Sequence, residues 1–180
     1  MNTNPCLDEI RNNLPRLLAM FDSDKTSASQ GMGDRYYWAW GLIDFGNGTF
    51  QGAAHGMAYL WKAGLWIYPT SKAQFIGRID DMFIGAERLT RKDGSLEEAF
   101  PNEGSYCVTA LVAFDLLRTI HLLSAEIDNA QVQRWQRIVA PMVDYLKIAD
   151  ETHALISNHL ATAVAALLWW HHLTGDEIAE

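Results

Sequence analysis

Residues 105–124 read SYCVTALVAFDLLRTIHLLS, and the fold is decided by this stretch. Its periodicity is helical, and small residues stand one turn apart at Thr109-Ala110 and Ala113-Phe114, which lets such a helix approach its neighbours closely. The pattern returns at Thr162-Ala163 and Ala166-Leu167, an offset of 53 residues (109 to 162). Upstream, Ala54, Ala58 and Tyr59 stand 55 residues before Thr109, Ala113 and Phe114 (54 to 109). A period of about 50 residues holds two helices and two connections, the signature of stacked αα-hairpins built as a solenoid or closed into a ring. Chance similarity among Ala-rich helices is the competing explanation.

Working outward, the rest of the chain reads as helix almost throughout. Asn4-Pro5 opens a first helix with Leu7, Ile10, Leu14, Leu17 and Leu18 at helical spacing, and Pro15 is predicted to kink or split it. Residues 23–33 are polar and rich in Gly and Ser, a loop. A short aromatic helix is predicted from Asp34 to about Phe45, and after Gly46-Asn47-Gly48 a second from Thr49 to about Trp61. Pro69-Thr70-Ser71 begins another, with Phe75, Ile79, Met82, Phe83, Ala86 and Leu89 on its apolar face. Three long helices close the sequence, over about 105–124, 129–148 and 157–173. Asp128-Asn129 and Ser157 are the expected caps, Pro141 is expected to bend the middle one, and Gly175 is the stop. No alternating run is long enough for a strand.

The expectation is one all-α domain over 1–180: an N-terminal helix and polar loop (1–33), then hairpin repeats (34–175), about three hairpins in an incomplete (α/α) toroid. Leu173-Thr174-Gly175-Asp176-Glu177 reads as a helix end, a stop and the acidic start of a further helix. The last apolar face, including Trp169 and Trp170, is therefore expected to be covered by a second copy or by a missing C-terminal half.

Composition narrows the function classes. Of 180 residues, 49% are hydrophobic, too many for a disordered chain. No stretch approaches the ~18 uncharged apolar residues of a membrane span. With 14 Lys+Arg against 22 Asp+Glu, the net charge of −8 argues against a nucleic-acid footprint. Cys6 and Cys107 are too far apart for a disulfide framework or a zinc pattern. The opening lacks a basic segment and an unbroken apolar run, so the expected location is the cytoplasm, with an envelope association also open.

The loop of residues 93–106 (DGSLEEAFPNEGSY) runs straight into the small-residue helix, and Asn158-His159 opens a later one. Together these resemble the α/α-toroid carbohydrate enzymes: the six-hairpin glycosidases and the heparinase II/III-like and alginate lyases. The resemblance covers about residues 34–175, the first half of such a ring. It implies an acidic poly- or oligosaccharide bound where the inner-helix N-termini and their loops line a cleft. A fainter likeness is to terpenoid-cyclase barrels, whose aspartate-rich metal motif is missing, since Asp80-Asp81 alone is insufficient.

Each candidate has a chemical and a structural reading. Lyases of this resemblance abstract a proton α to a uronate carboxylate. Asn158 would neutralise that carboxylate, His159 would take the proton and Tyr106 would supply one. The structural alternative is a capping segment and a packed ring. For hydrolysis, Glu98 and Glu103, flanking Phe100-Pro101, would form the carboxyl pair, with Asp44 opposite and Glu97 nearby; otherwise these are solvated loop acids. Tyr36 and Trp40, in a cluster with Tyr37 and Trp38, are sugar-stacking or core residues. Asn47, His55 and Phe100 are candidate cleft residues, His55 being equally a satisfied core histidine. His171-His172 is not a metal motif, because adjacent histidines diverge by about 100° on a helix. No metal or cofactor is expected. Elimination is preferred over hydrolysis; a non-catalytic helical-repeat module and an isoprenoid-cyclase-like pocket are the alternatives.

Overall fold

The computed structural model describes residues 5–33, 46–98, 102–152 and 156–176. Six α-helices are found there: α1 (Pro5–Leu18), α2 (Ala53–Lys62), α3 (Lys72–Leu89), α4 (Tyr106–Leu123), α5 (Asn129–Ile148) and α6 (Ser157–Thr174). A 3-10 turn, Gly48–Gly52, leads into α2, and two short strands, β1 (Leu96–Glu97) and β2 (Gly104–Ser105), precede α4. The described residues are mostly helical, the β structure being this hairpin, too short to show as alternation in the sequence, and two isolated bridges, Phe21 with Gly33 and Thr90 with Leu96.

Helix ends follow local chemistry. Ser71 and Gln74 form a reciprocal capping box on α3. Asp128 caps α5 by accepting the Gln131 N–H. Gly175, at φ 72°, closes α6 in the left-handed conformation. Pro15 does not split α1, and α5 continues through Pro141, whose side chain is exposed. One expectation fails here. Ser157 is not the cap of α6: Ile156 holds that place without a side-chain bond. The aromatic helix expected at 34–45 lies outside the described residues.

α4 is the centre of the fold. Eleven of its residues are buried, and it packs against α2, α5 and α6. It is also long and apolar enough, by length and composition, to cross a membrane, with a mean hydropathy of 1.5. In this fold the same apolarity is used for core contacts on several sides. The recurring small residues are what allow it: Ala54, Ala58, Thr109, Ala113, Ala163 and Ala166 are all buried.

Side-chain pairs give the directions. His55 meets Asp115 and Lys62 meets Glu126, so α2 and α4 run parallel. Arg118 of α4 meets Trp169 of α6, and His121, one turn on, meets His172, one turn on, so α6 is parallel to α4 as well. On the other layer, Asp80 and Phe83 of α3 meet Trp135 of α5, and Gly94 meets Pro141, so α3 and α5 run parallel. Three parallel helices, α2, α4 and α6, thus stand in order with α4 in the middle, and α3 and α5 form a second pair beside them.

Two polar clamps hold the layers. Asp80 accepts bonds from Gln131 Nε2 (2.6 Å) and Trp135 Nε1 (2.8 Å) and is ion-paired with Arg134. Phe83 stacks on Trp135 beneath it at 4.4 Å. Gln51, fully buried, donates from Nε2 to the carbonyls of Gly31 (2.9 Å) and Met82 (2.6 Å) and accepts the Gly33 N–H (3.0 Å). It ties the N-terminal loop to α3.

That tie requires close backbone approach. A β-carbon on Gly85 would run into the Gly31 carbonyl and lie 2.6 Å from Nε2 of Gln51, whereas nothing stands within 4 Å of one on Gly77 of the same helix. Gly85→Ala is therefore expected to destabilise the fold by about 2–4 kcal/mol, and Gly77→Ala to stabilise it by about 0.5–1 kcal/mol. Urea unfolding of both variants checks this; shifts of the same sign would contradict the packing described.

Candidate functional site

The site grows from the loop that delivers the chain into α4. Asp93 Oδ1 accepts from the N–H and hydroxyl of Ser95 (3.0 and 2.7 Å), and the Ser95 hydroxyl bond in particular holds the Asp93 carboxyl below its ordinary range. Leu96 pairs with Ser105 and Glu97 with Gly104 across the hairpin, and the Glu98 N–H donates to the Glu103 carbonyl at 3.0 Å. Thr109 locks this hairpin to the helix. Its hydroxyl donates to the Ser105 carbonyl (2.6 Å) and accepts the Leu96 N–H (2.8 Å). Asn102 takes a left-handed conformation at φ 69°, and its N–H is held by Glu97 Oε1 at 3.1 Å.

A second acidic segment, Asp150-Glu151, comes in from the end of α5. The Glu151 carboxylate is almost fully buried at 3% exposure and lies 2.6 Å from Nδ1 of His159. A carboxylate only accepts hydrogen bonds, so Nδ1 carries the proton and Nε2 is left as the basic nitrogen. The negative charge of Glu151 is also felt by Tyr106, Cys107 and Tyr145.

One buried carboxylate thus bonds His159 and raises the proton affinity of three further side chains. Burial raises the Tyr106 phenol above its ordinary 10.0, and Asp150 and Glu151 add to the rise. Tyr145, whose ring centroid is 6.3 Å from that of Tyr106, is raised by burial, Asp93 and Glu151, with Arg91 opposing. The Cys107 thiol is pushed up by burial and then by Glu98 and Glu151, which keeps it protonated and unreactive. Beside this cluster, an open groove of about 460 Å³ is lined by Thr90, Arg91, Lys92, Asp93, Glu97 and Asn102.

Of the residues expected from sequence, Tyr106, His159 and Glu98 come to this one end of the helices. Asn158 stands exposed in the first turn of α6 and Glu103 is exposed at the hairpin. Asn47 is elsewhere: buried, it caps the 3-10 turn by accepting the Thr49 N–H at 3.0 Å. His55 pairs with Asp115 at 2.9 Å on the faces of α2 and α4. Tyr36, Trp40, Asp44 and Phe100 lie outside the described residues. Asp80 and Asp81 bond other side chains, Asp81 accepting from Gln30 at 2.7 Å. Among the described residues, no group of three or more His, Cys, Asp or Glu is placed to hold a metal ion.

Glu151, Tyr145, Arg91 and Lys92 were not anticipated. The repeat itself carried a signal for the first. Glu97-Glu98 and Asp150-Glu151 stand 53 residues apart (98 to 151), as do Tyr106 and His159 (106 to 159). The phenol and the imidazole thus occupy equivalent places at the starts of successive parallel helices. Comparison with protein-family models, curated proteins and solved structures gives no match.

The two raised phenols make the fold sensitive to alkali. Folding holds their protons more tightly than the unfolded chain does. Their contribution is therefore fully present below pH 10 and is lost as pH rises through the folded-state values. Ultraviolet titration should show two late-ionising phenols, one vanishing in Tyr106→Phe and the other in Tyr145→Phe. Ordinary titration of all six tyrosines would contradict the burial assigned here.

Proposed function

We propose that the protein is a carbohydrate-active enzyme domain that acts on an acidic saccharide by proton abstraction and elimination. The observation that carries this reading is the 2.6 Å bond between Glu151 and His159 beside the buried Tyr106. Glu151 fixes the imidazole tautomer and orientation, leaving Nε2 to take the proton. Tyr106 remains protonated at neutral pH and serves as the donor to the departing glycosidic oxygen. Asn158 offers an amide N–H to the uronate carboxylate, and Arg91 and Lys92, in the groove beside the hairpin, offset the negative field of Glu98, Asp150 and Glu151. The parallel order of α2, α4 and α6, with α3 and α5 outside, supports an arc of an α/α toroid as the scaffold.

A non-catalytic helical-repeat module is the second reading. Each parallel helix leaves a large apolar side chain in solvent: Tyr59 on α2, Leu111 on α4, and Val164 and Leu168 on α6. Trp169 and Trp170, on the face expected to need cover from a second copy or a missing half, are half-buried within this chain, Trp170 donating from Nε1 to Asp176 at 2.9 Å.

Incubation with acidic oligo- and polysaccharides separates the readings. Elimination produces an unsaturated uronide absorbing in the near ultraviolet, with the rate falling at least about 100-fold in His159→Gln and in Tyr106→Phe. New reducing ends without that absorbance would assign hydrolysis to the Glu98 region, and neither signal with any acidic glycan would remove the catalytic reading.

A further inference from the structure

At the opposite end of α4 and α6, a second cluster has the reverse charge. The Arg118 guanidinium lies over the indole of Trp169, 4.4 Å from the ring centroid, and its Nε is buried with no hydrogen-bond partner. His121 and His172 flank the same indole at 4.9 and 5.2 Å and stand 5.7 Å from each other. Both histidines are exposed. Arg118 is twelve residues beyond Tyr106, about 18 Å along the helix, so this cluster is separate from the Glu151 site.

Arg118 brings a fixed positive charge to the cluster, and among the described residues the nearby acids are engaged elsewhere. Asp115, one turn before Arg118, is engaged by His55. Glu126 is held by Lys62 at 3.2 Å and by Lys72 at 3.1 Å. Asp176 is held by Lys147 and Trp170, and His171 turns its Nδ1 to the Asp176 carbonyl. Arg118 and His172 lower the affinity of His121 for a proton, after burial, so the existing neighbours oppose positive charge there. A helix C-terminus favours cations, which explains basic residues in this turn. It does not explain a guanidinium placed over an indole with a buried donor unsatisfied.

We infer that Arg118, His121 and His172 form a binding site for an oxyanion, a carboxylate or a phosphate group, with Trp169 orienting the guanidinium. A guanidinium presents paired N–H donors to a two-oxygen anion, and its contact with the indole restrains that fork before the ligand arrives. His121 and His172 add donors from α4 and α6. The inference is independent of the catalytic reading.

The test uses the full chain at pH 7 and constant ionic strength, titrated with glucuronate and separately with inorganic phosphate, while the ring signals of all six histidines are followed by NMR. The expected result is a saturable shift at His121 and His172 with one or both anions, the tighter one identifying the ligand class. In Arg118→Gln affinity should fall about tenfold or more, and Arg118→Lys should not restore it, because the charge remains but the fork is lost. If Arg118→Gln loses its helical circular dichroism, His172→Ala, an exposed position, replaces it and should weaken binding in the same direction. Linear shifts at all histidines, or affinity unchanged in these variants, would overturn the site. Saturable shifts at His159 alone would support the catalytic reading and overturn this one.

Discussion

The structure depends on how closely three parallel helices can approach. Ala58 of α2, Ala110 and Ala113 of α4, and Ala163 and Ala166 of α6 remove side-chain bulk where these helices are packed. Without that relief α4 could not be covered by α2, α5 and α6 together, and its run of Val108, Val112, Leu116, Leu117 and Ile120 would lose part of its cover. Leucine-sized residues at these positions would overpack the core and push the helices apart. Everything at the helix starts inherits its position from this contact.

Parallel order has an electrostatic consequence. The starts of α4 and α6 bring several unpaired backbone N–H groups and their partial positive charge to the same end. The acids that arrive there, Glu98, Asp150 and Glu151, are matched to that field. Glu151 is the most deeply placed; it bonds the His159 imidazole, and its negative charge adds to the burial that raises the Tyr106 phenol and the Cys107 thiol. The far end shows the complement, with Arg118, His121 and His172 in or near the last turns. Charge separation along α4 and α6 is therefore a property of the scaffold, and each end offers a different chemistry.

Helix existence and extent were legible wherever apolar spacing was regular. Asn129–Ile148 coincides with its expected range, Tyr106–Leu123 is shorter than expected by a residue at each end, and Ser157–Thr174 is longer by one residue at its end. Local rules were less decisive where tertiary contact competes with them. Pro141 lies inside α5 at an exposed position, and the helix continues through it, with Gly94 close against its carbonyl. Ser157 has the chemistry of a cap, and Ile156 takes the position instead. The site was legible only in part. Tyr106 and His159 stand out as polar residues at helix starts, whereas Glu151 becomes meaningful only when the 53-residue repeat is applied to the loops as well as the helices. Gln51 and Asp80 give no motif at all, because their roles are set by backbone carbonyls and by side chains 20 to 55 residues away.

The direction of α6 against α4 is the claim on which both sites rest, and nuclear Overhauser contacts from the Trp169 indole test it most directly. A parallel pair places that indole against His121, 4.9 Å between ring centroids, near the end of α4. Cross-peaks from Trp169 to the His121 ring, with none to Tyr106, are the predicted result. Cross-peaks to the Tyr106 ring would mean that α6 runs the other way, and the gathering of Tyr106, Glu151 and His159 would not exist.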